Sequence, residues 1–202
     1  MIHALPGMGA DRRMFPAPWG QLPEFVAHDW PEHRGEITLP GVARTVCDKF
    51  GIQDGDVLVG ASLGGMVSCE IAKLRKLKQL YLVGSATSKD EVNRLLAFLH
   101  PLADFAPIEW LQFSAGQIPV EEIRMFAGAD TAFVRKMCAA IFKWEGLGTL
   151  PVPCYRLHGR FDLVILPPEQ PHLLVDGGHL ISMTHATECV EFIKNRLQAR
   201  PI

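Results

Sequence analysis

Ser62, within the pentapeptide GASLG (residues 60–64), is the residue whose setting most clearly indicates chemistry. The apolar residues 57–59 before it predict a strand, and a helix is predicted to begin near Gly65. A serine on such a tight strand-to-helix turn is held above the sheet, and glycines are needed two residues before and after it because side chains there would collide. The turn also directs the Leu63 N–H toward an anion beside the serine oxygen. These features predict a nucleophilic serine.

A serine nucleophile needs a base, and the base needs an acid that orients it. The segment HGRFD (158–162) follows a predicted strand and places Asp162 in a loop at that strand's carboxyl end. The segment DGGH (176–179) likewise places His179 in a glycine-rich loop after the next strand. Taken singly, these residues are a turn aspartate and an exposed histidine. Because the carboxyl ends of parallel strands share one edge of a sheet, their order after Ser62 predicts a catalytic triad.

Other residues compete for these roles. Asp90 also follows a predicted strand and remains an alternative acid, whereas Asp176 would have to fold back on its own loop. His158 lies within or at the end of a strand, where we expect it to form a hydrogen bond inside the protein. The glycines around Ser62 also resemble a phosphate-binding loop, but Met66 stands where such a loop needs lysine.

The N-terminal segment HALPGMGADR (residues 3–12) supplies the remaining part of the predicted site. A strand end followed by a glycine-rich turn can present a backbone N–H near Ser62. We assign this second oxyanion donor to Leu5, with Met8 as the alternative, beside the N–H of Leu63. On these residues alone, a plain turn after a strand is an equally good interpretation.

Short apolar runs alternate with stretches of helical spacing along most of the chain. Several of the runs are apolar almost throughout, which is typical of strands covered on both faces. The fold class we predict is therefore α/β, with a mostly parallel sheet of about six strands flanked by helices. The predicted strands are 1–5, 25–30, 57–61, 79–84, 154–158 and 172–175, and the predicted helices of this part are 40–50, 65–74 and 184–197.

One region, from about residue 85 to residue 150, breaks the alternation and contains no convincing strand. Roughly sixty residues is too long for an ordinary connection between two elements. We therefore predict a core formed by residues 1–84 and 151–202, with residues 85–150 as a helical cap; extra helices packed on the sheet are the alternative. The predicted helices here are 88–99, opened by a capping box from Ser88 to Glu91, 108–113, 121–126 and 131–144.

Four segments taken together resemble the α/β-hydrolase superfamily: HALPGMGADRR, VGASLGG, HGRFD and DGGHL. The resemblance implies Ser62 as the nucleophile, His179 as general base and acid, and Asp162 as the acid that orients His179. It also implies Leu5 and Leu63 as backbone oxyanion donors, and residues 85–150 correspond in position to the family's variable cap. Two departures are evident. Ala4 replaces the glycine that commonly follows the first-turn histidine, and the strands that usually precede the first strand are absent.

Composition and charge exclude several classes of function. The chain has 202 residues, with 20 basic and 22 acidic side chains and a formal net charge of −2, so nothing indicates nucleic acid as a partner. The longest apolar stretch, residues 57–67, is too short to span a bilayer, and we expect no membrane partner. No signal peptide is recognisable, and the five cysteines are scattered, as expected of reduced thiols. We therefore expect a cytoplasmic protein.

The activity that follows is hydrolysis of a small, fairly apolar carboxylic ester through an acyl-enzyme, with no metal or organic cofactor. Two alternatives stay open. A thioesterase, acyltransferase or lyase would use the same triad, and a non-catalytic ligand-binding protein would keep only the scaffold. The sequence does not indicate an oligomeric state. The residues we predict to line the substrate pocket are Met8, Trp110, Phe113 and Phe142, although helical aromatics more often form core.

Overall fold

The structure, a computed structural model, describes residues 1–93, 130–149 and 152–199. Its strands are β1 (Ile2–Leu5), β2 (Phe25–Ala27), β3 (Val57–Ala61), β4 (Gln79–Val83), β5 (Cys154–Gly159) and β6 (Leu173–Val175). Its α-helices are α1 (Leu39–Phe50), α2 (Leu63–Leu74), α3 (Thr131–Ile141), α4 (Ile181–Thr184) and α5 (Ala186–Gln198).

The six strands form one sheet in the order β2-β1-β3-β4-β5-β6, and all neighbouring pairs are parallel. This confirms the predicted parallel sheet of about six strands flanked by helices. After β1 the chain adds β2 on one side, and it then returns to place β3 on the other side. The direction of strand addition therefore reverses between β1 and β3, which is where open parallel sheets bind ligands.

Hydrophobic cores cover both faces of the sheet because alternate strand residues point to opposite sides. Leu58 packs on the face covered by α1, α2 and α3, whereas Val57 and Val59 pack on the face covered by α4 and α5. The second face is completed by a 3₁₀ helix, Ala17–Gln21. Its buried Trp19 donates an indole hydrogen bond to the carbonyl of Ser182 at 2.8 Å. The two cores hold the sheet between two layers of helices.

The last predicted helix is present and is preceded by a short additional helix. The sequence spacing predicts a helix over 184–197, and the structure has α5 from Ala186 to Gln198, with α4 ending just before it at Thr184. Ala186, Val190 and Ile193 form the buried face of α5. Because His179 lies just before α4, the short extra helix connects the loop that carries His179 to the longer packed helix.

Residues 85–150 are described in part. The helix predicted from Thr131 is present as α3, but it ends at Ile141 instead of Trp144, and its buried Phe133 and Met137 join the core beside α1 and α2. The two ends of the region meet, because the Leu147 N–H donates to the carbonyl of Thr87 at 2.8 Å. The division into core and cap remains a prediction. The predicted helices 108–113 and 121–126, together with Trp110 and Phe113, lie outside the described residues.

The helix predicted to start after Ser88 does not form there. Residues Lys89–Glu91 make a 3₁₀ turn, and Val92 then pairs with Ile165 in an isolated antiparallel bridge. The Ser88 hydroxyl accepts from the Asp90 N–H at 3.2 Å. The predicted capping box does not form. The Glu91 carboxylate instead accepts a hydrogen bond from the Thr87 N–H at 2.9 Å and binds other partners described below. The rest of the predicted helix lies outside the described residues.

All five cysteines are free thiols, as predicted. Cys47, Cys69 and Cys189 are buried, and burial raises the pKa of each of these thiols. Across residues 1–93, 130–149 and 152–199, no helix is long and apolar enough to cross a membrane.

Candidate active site

Ser62 lies on a sharp turn between β3 and α2, with φ 50° and ψ −120°. Positive φ is unfavourable for a residue with a side chain, so the surrounding structure must hold Ser62 there. A Cβ on Gly60 would lie 2.3 Å from the Cα of Gly65, and one on Gly64 would lie 2.2 Å from the carbonyl oxygen of Leu5. Both distances are far below a normal contact. The glycines predicted to be necessary on either side of Ser62 are therefore required by the structure.

Hydrogen bonds hold the backbone of Ser62 on both sides. Its N–H donates to the carbonyl of Val83 on β4 at 3.1 Å. Its carbonyl accepts from the Gly65 N–H at 3.0 Å and from the Ser85 hydroxyl at 2.6 Å. These contacts to β4 and to the segment after it stabilise the strained conformation.

His179 connects Ser62 to Asp162. Its Nδ1 lies 2.8 Å from Oδ2 of Asp162, and its Nε2 lies 2.9 Å from Oγ of Ser62. Since a carboxylate only accepts hydrogen bonds, Nδ1 carries the proton and Nε2 is left to accept from the serine hydroxyl. This arrangement can remove the proton of Ser62 as the oxygen attacks an electrophile. The structure thus brings the three predicted residues together, with His179 between Ser62 and Asp162.

Asp162 is buried at the carboxyl end of β5, with an exposed fraction of 1%. Its Oδ1 accepts from the N–H groups of Val164 at 2.9 Å and Ile165 at 3.0 Å, which leaves Oδ2 to His179. A carboxylate that receives hydrogen bonds on both oxygens has a fixed orientation. Asp162 can therefore hold the imidazole of His179 in one orientation.

Glycines let the loop that carries His179 lie close to its neighbours. A Cβ on Gly159 would lie 2.2 Å from the carbonyl oxygen of Gly178, and one on Gly84 would lie 2.7 Å from that of His179. Gly84 also has a φ of 51°, which favours glycine. The ends of β4, β5 and β6 consequently meet around the imidazole.

The predicted oxyanion donors flank Ser62. Leu63 is the first residue of α2, so its N–H has no acceptor within the helix. Leu5 ends β1 next to β3. The turn after Leu5 approaches the tight turn of residues 60–64 around Ser62, here called the elbow, because a Cβ on Gly7 would lie 3.4 Å from Cβ of Ser62. The Gly7 N–H itself donates to the sulfur of Met14 at 3.0 Å. The donor roles of Leu5 and Leu63 remain predictions.

Both alternative acids lie elsewhere. The two ring nitrogens of His179 are already engaged by Asp162 and Ser62. Asp90 lies in the exposed 3₁₀ turn after β4. Asp176 forms an exposed ion pair with Arg160 at 2.8 Å. The structure therefore places Asp162, rather than Asp90, beside the histidine.

His158 does not behave as the sequence predicts. It is fully buried, and neither ring nitrogen has a hydrogen-bond partner among the described residues, so the predicted internal hydrogen bond is wrong. Its Nε2 lies 4.0 Å from Oδ2 of Asp162, beyond hydrogen-bond distance. Burial lowers the pKa of His158 to about 4. The imidazole is therefore neutral at pH 7.

Of the four predicted pocket residues, Met8 and Phe142 lie in the described part of the chain, and both pack against the larger core. Met8 is half-buried and packs against α3, where its sulfur lies 3.7 Å from that of Cys138. Phe142 is half-buried against the larger core, just after α3. A cavity of about 350 Å³ opens beside the turn after β1, with Trp30 and Phe133 among its lining. Trp30 Nε1 donates to the carbonyl of Gly7 at 2.9 Å, which connects this cavity to the turn beside Ser62.

Sequence reasoning missed three polar residues around the site: Ser85, Glu91 and Arg156. Ser85 binds the carbonyl of Ser62, and Arg156 binds Glu91 and the carbonyl of Ser85. The sequence offers one signal for this group of residues: Arg156 is a charged residue in a predicted strand that is otherwise mostly apolar. Over the part of the chain that is described, no group of three or more His, Cys, Asp or Glu side chains is arranged to hold a metal ion.

A serine on a strained turn at the carboxyl edge of a parallel sheet, followed in the chain by its acid and its histidine, defines the class of protein. A sequence profile described as "Alpha/beta hydrolase family" matches residues 2–192. The chain therefore belongs to the α/β hydrolase family. A sequence comparison with curated proteins finds no match.

Solved structures show the same fold. An esterase from Thermogutta terrifontis is 20% identical with a TM-score of 0.75, covering 98% of this chain and 89% of that chain. A hydrolase from Oleispira antarctica is 15% identical with a TM-score of 0.79, covering 98% and 91%. An enol-lactonase from Burkholderia xenovorans is 17% identical with a TM-score of 0.78, covering 98% and 91%.

Proposed function

We propose that the protein is a serine hydrolase that cleaves a small, fairly apolar carboxylic ester. The observation that carries the proposal is the continuous hydrogen-bond chain from Ser62 through His179 to Asp162. The strained elbow adds support, because it is a costly conformation whose chemical use is to present a nucleophile. Family membership agrees with both.

The proposed reaction has two steps. His179 Nε2 takes the hydroxyl proton while Ser62 Oγ bonds to the ester carbonyl carbon, and the charge that develops on the carbonyl oxygen is stabilised by the N–H groups of Leu63 and Leu5. The carbon–oxygen bond of the ester then breaks, and His179 gives its proton to the leaving alcohol. In the second step His179 deprotonates water, which attacks the acyl group and releases the acid and Ser62. Asp162 orients the ring throughout.

The substrate class is inferred from the structural neighbours. The cavity beside the turn after β1 is lined by Trp30 and Phe133 but also by the carboxylates Asp11, Asp29, Glu32 and Asp130, so the apolar character of the proposed substrate does not come from this cavity. The structural neighbours include proteins described as an esterase and an enol-lactonase, and both activities are attacks on an ester-type carbonyl. The mechanism calls for no metal or organic cofactor. A cytoplasmic location remains a prediction.

The test is a set of p-nitrophenyl esters of increasing acyl length, with matched thioesters and lactones. We expect turnover of the short esters, and we expect Ser62→Ala to abolish it. Ser182→Ala is the matched control, since Ser182 is also buried and its hydroxyl has no hydrogen-bond partner among the described residues. Equal turnover by the wild type and Ser62→Ala would refute the proposal.

The alternatives give different results in the same assay. Selective cleavage of thioesters or lactones would keep the triad and change the substrate class. Absence of turnover on every carbonyl substrate, with a folded protein that binds a ligand, would favour a binding protein on the hydrolase scaffold.

A further inference from the structure

A mostly buried ion pair connects β5, the strand before Asp162, to the 3₁₀ turn after β4. Arg156 lies on β5, and Glu91 ends the 3₁₀ turn after β4. The guanidinium donates from Nη1 to Oε1 of Glu91 at 2.9 Å and from Nη2 to Oε2 at 2.7 Å. The exposed fractions of the two side chains are 13% and 25%. Two parallel hydrogen bonds between a guanidinium and a carboxylate fix orientation as well as distance.

Glu91, one member of this pair, contacts the loop that carries Asp162. Glu91 and Asn93 form backbone and side-chain hydrogen bonds with residues 163–166, and the N–H groups of two of these residues bind Oδ1 of Asp162. The segment after β4 therefore holds the loop whose N–H groups bind Asp162. The bonds run from the Leu166 N–H to the carbonyl of Glu91 (2.9 Å), from the Asn93 N–H to the carbonyl of Val164 (3.0 Å) and from Nδ2 of Asn93 to the carbonyl of Leu163 (2.9 Å).

Arg156, the other member, is connected to the elbow through Ser85. Nη2 of Arg156 also donates to the carbonyl of Ser85 at 3.1 Å, and the Ser85 hydroxyl donates to the carbonyl of Ser62 at 2.6 Å. Ser85 has no room to move toward α2, since a Cβ on Gly65 would lie 2.2 Å from its oxygen. One guanidinium thus contacts the supports of both the nucleophile and the acid.

We propose that Arg156 and Glu91 are positioning residues that set the separation between Ser62 and Asp162. This inference rests on the proposed function. His179 must reach both residues at once, at 2.9 Å and 2.8 Å, so a change in the spacing of the two loops breaks one of its hydrogen bonds. A misplacement of about 1 Å in a catalytic geometry can lower the rate on the order of 100-fold.

The first experiment compares arginine variants in turnover of p-nitrophenyl acetate. We expect Arg156→Met to lower kcat by about 10–100-fold, with KM changed by less than about 2-fold because the ion pair acts on geometry and not on substrate binding. Arg156→Lys keeps the charge without the paired hydrogen bonds, and an intermediate loss is expected. The control is Arg160→Met, which removes an exposed arginine directly after β5. Urea unfolding of each variant verifies that the protein assayed is folded.

A second measurement does not depend on activity. The Nδ1 proton of His179, hydrogen-bonded to Asp162, gives a downfield proton NMR resonance, which we expect in the wild type and in Arg160→Met. We expect it to be lost or broadened in Arg156→Met and Glu91→Gln. The double variant Glu91→Gln/Arg156→Met should lose clearly less kcat than the two single losses combined. Both changes break the shared ion pair, although Arg156 also binds the Ser85 carbonyl and Glu91 also binds Thr87.

Contrary results are equally defined. A folded Arg156→Met with kcat within about 2-fold of the wild type, or with an unchanged resonance, would overturn the positioning role; so would additive losses in the double variant. Absence of turnover in the wild type would count against the proposed function, and the resonance alone would then decide whether the ion pair positions His179. If Arg156→Met does not fold, Arg156→Lys and Glu91→Gln carry the comparison.

Discussion

The elbow around Ser62 and the loop around Asp162 are held in different ways. At the elbow, glycines within a few residues of the serine permit contacts that no side chain would allow, and close backbone packing keeps the turn in place. The loop around Asp162 also begins next to a closely packed glycine, Gly159, but the residues that follow Asp162 are held by hydrogen bonds. It depends on hydrogen bonds from Glu91 and Asn93, which come from a segment far away in the chain.

This difference predicts different responses to change. Backbone packing tolerates no added atom, so a substitution at Gly60 or Gly64 acts on the whole fold. Hydrogen bonds to a loop can be removed one at a time, so substitutions around Asp162 leave a folded protein with a graded loss of function. The four predictions below test this contrast, beginning with the largest effect.

Gly60→Ala should have the largest effect on the stability of the fold. Its Cβ would lie 2.3 Å from the backbone of Gly65, and neither segment can move away because Gly60 belongs to the central strand β3. We expect the free energy of unfolding to fall by more than about 3 kcal/mol, measured by urea unfolding. Gly20→Ala is the control, since nothing lies within 4 Å of a Cβ there. Equal stability of the two variants would refute the steric account of the elbow.

Asp162→Asn should leave the fold intact and lower kcat by about 10⁴-fold, because an amide can no longer hold His179 Nδ1 protonated and oriented. Steady-state kinetics with a short p-nitrophenyl ester measures the loss. Asp176→Asn removes a carboxylate from the same edge of the sheet and should leave kcat unchanged, since that side chain is exposed and paired with Arg160. A loss confined to Asp176→Asn would identify a different acid.

His158, which lies near Asp162, should lower the stability of the folded protein at acidic pH. Burial lowers its pKa to about 4 from an ordinary value of 6.5, so the unfolded chain takes up the proton first and the free energy of unfolding falls as the pH drops from about 6.5 to 4. His158→Met removes this contribution. Between pH 7 and pH 4.5 the wild type should lose on the order of 2 kcal/mol more than the variant.

His28, whose pKa burial also lowers to about 4, contributes a similar loss in both proteins, so only the difference between them is informative. Urea unfolding at several pH values provides it. An identical pH dependence of the wild type and His158→Met would mean that His158 is not neutral in the folded protein.

Ser85→Ala should have the smallest effect. The elbow loses one hydrogen bond, from Ser85 to the carbonyl of Ser62, while its backbone packing stays in place. We expect the free energy of unfolding to fall by about 1 kcal/mol, together with a modest drop in kcat. Urea unfolding and the same ester assay measure both. A loss as large as that of Gly60→Ala would show that the elbow also depends mainly on hydrogen bonds.

The contrast also explains which parts of the site were predictable. The elbow is a local arrangement, so GASLG and the apolar residues before it were sufficient. Asp162 and His179 were predictable because each follows a strand, and a parallel sheet brings strand ends together. The strand positions follow from short runs, several of them apolar almost throughout, which lie between helices in the structure.

The remaining contacts join segments that are distant in the chain. The spacing from Ser88 to Glu91 fits a capping box, but an ion pair with Arg156 on β5 determines the position of Glu91. No local pattern in the sequence indicates that partner. His158 was misjudged for the same kind of reason, because a strand position does not show whether a buried imidazole finds a hydrogen-bond partner.

The central claim is that Ser62 is a nucleophile activated by His179. A fluorophosphonate probe tests it most directly, because the probe forms a covalent bond with an activated serine and needs no matching substrate. We predict one adduct per chain, located on Ser62 by peptide mass spectrometry, and a large drop in labelling rate in folded His179→Ala. Failure of the folded wild type to label, or labelling of another serine at an undiminished rate in Ser62→Ala, would contradict the account.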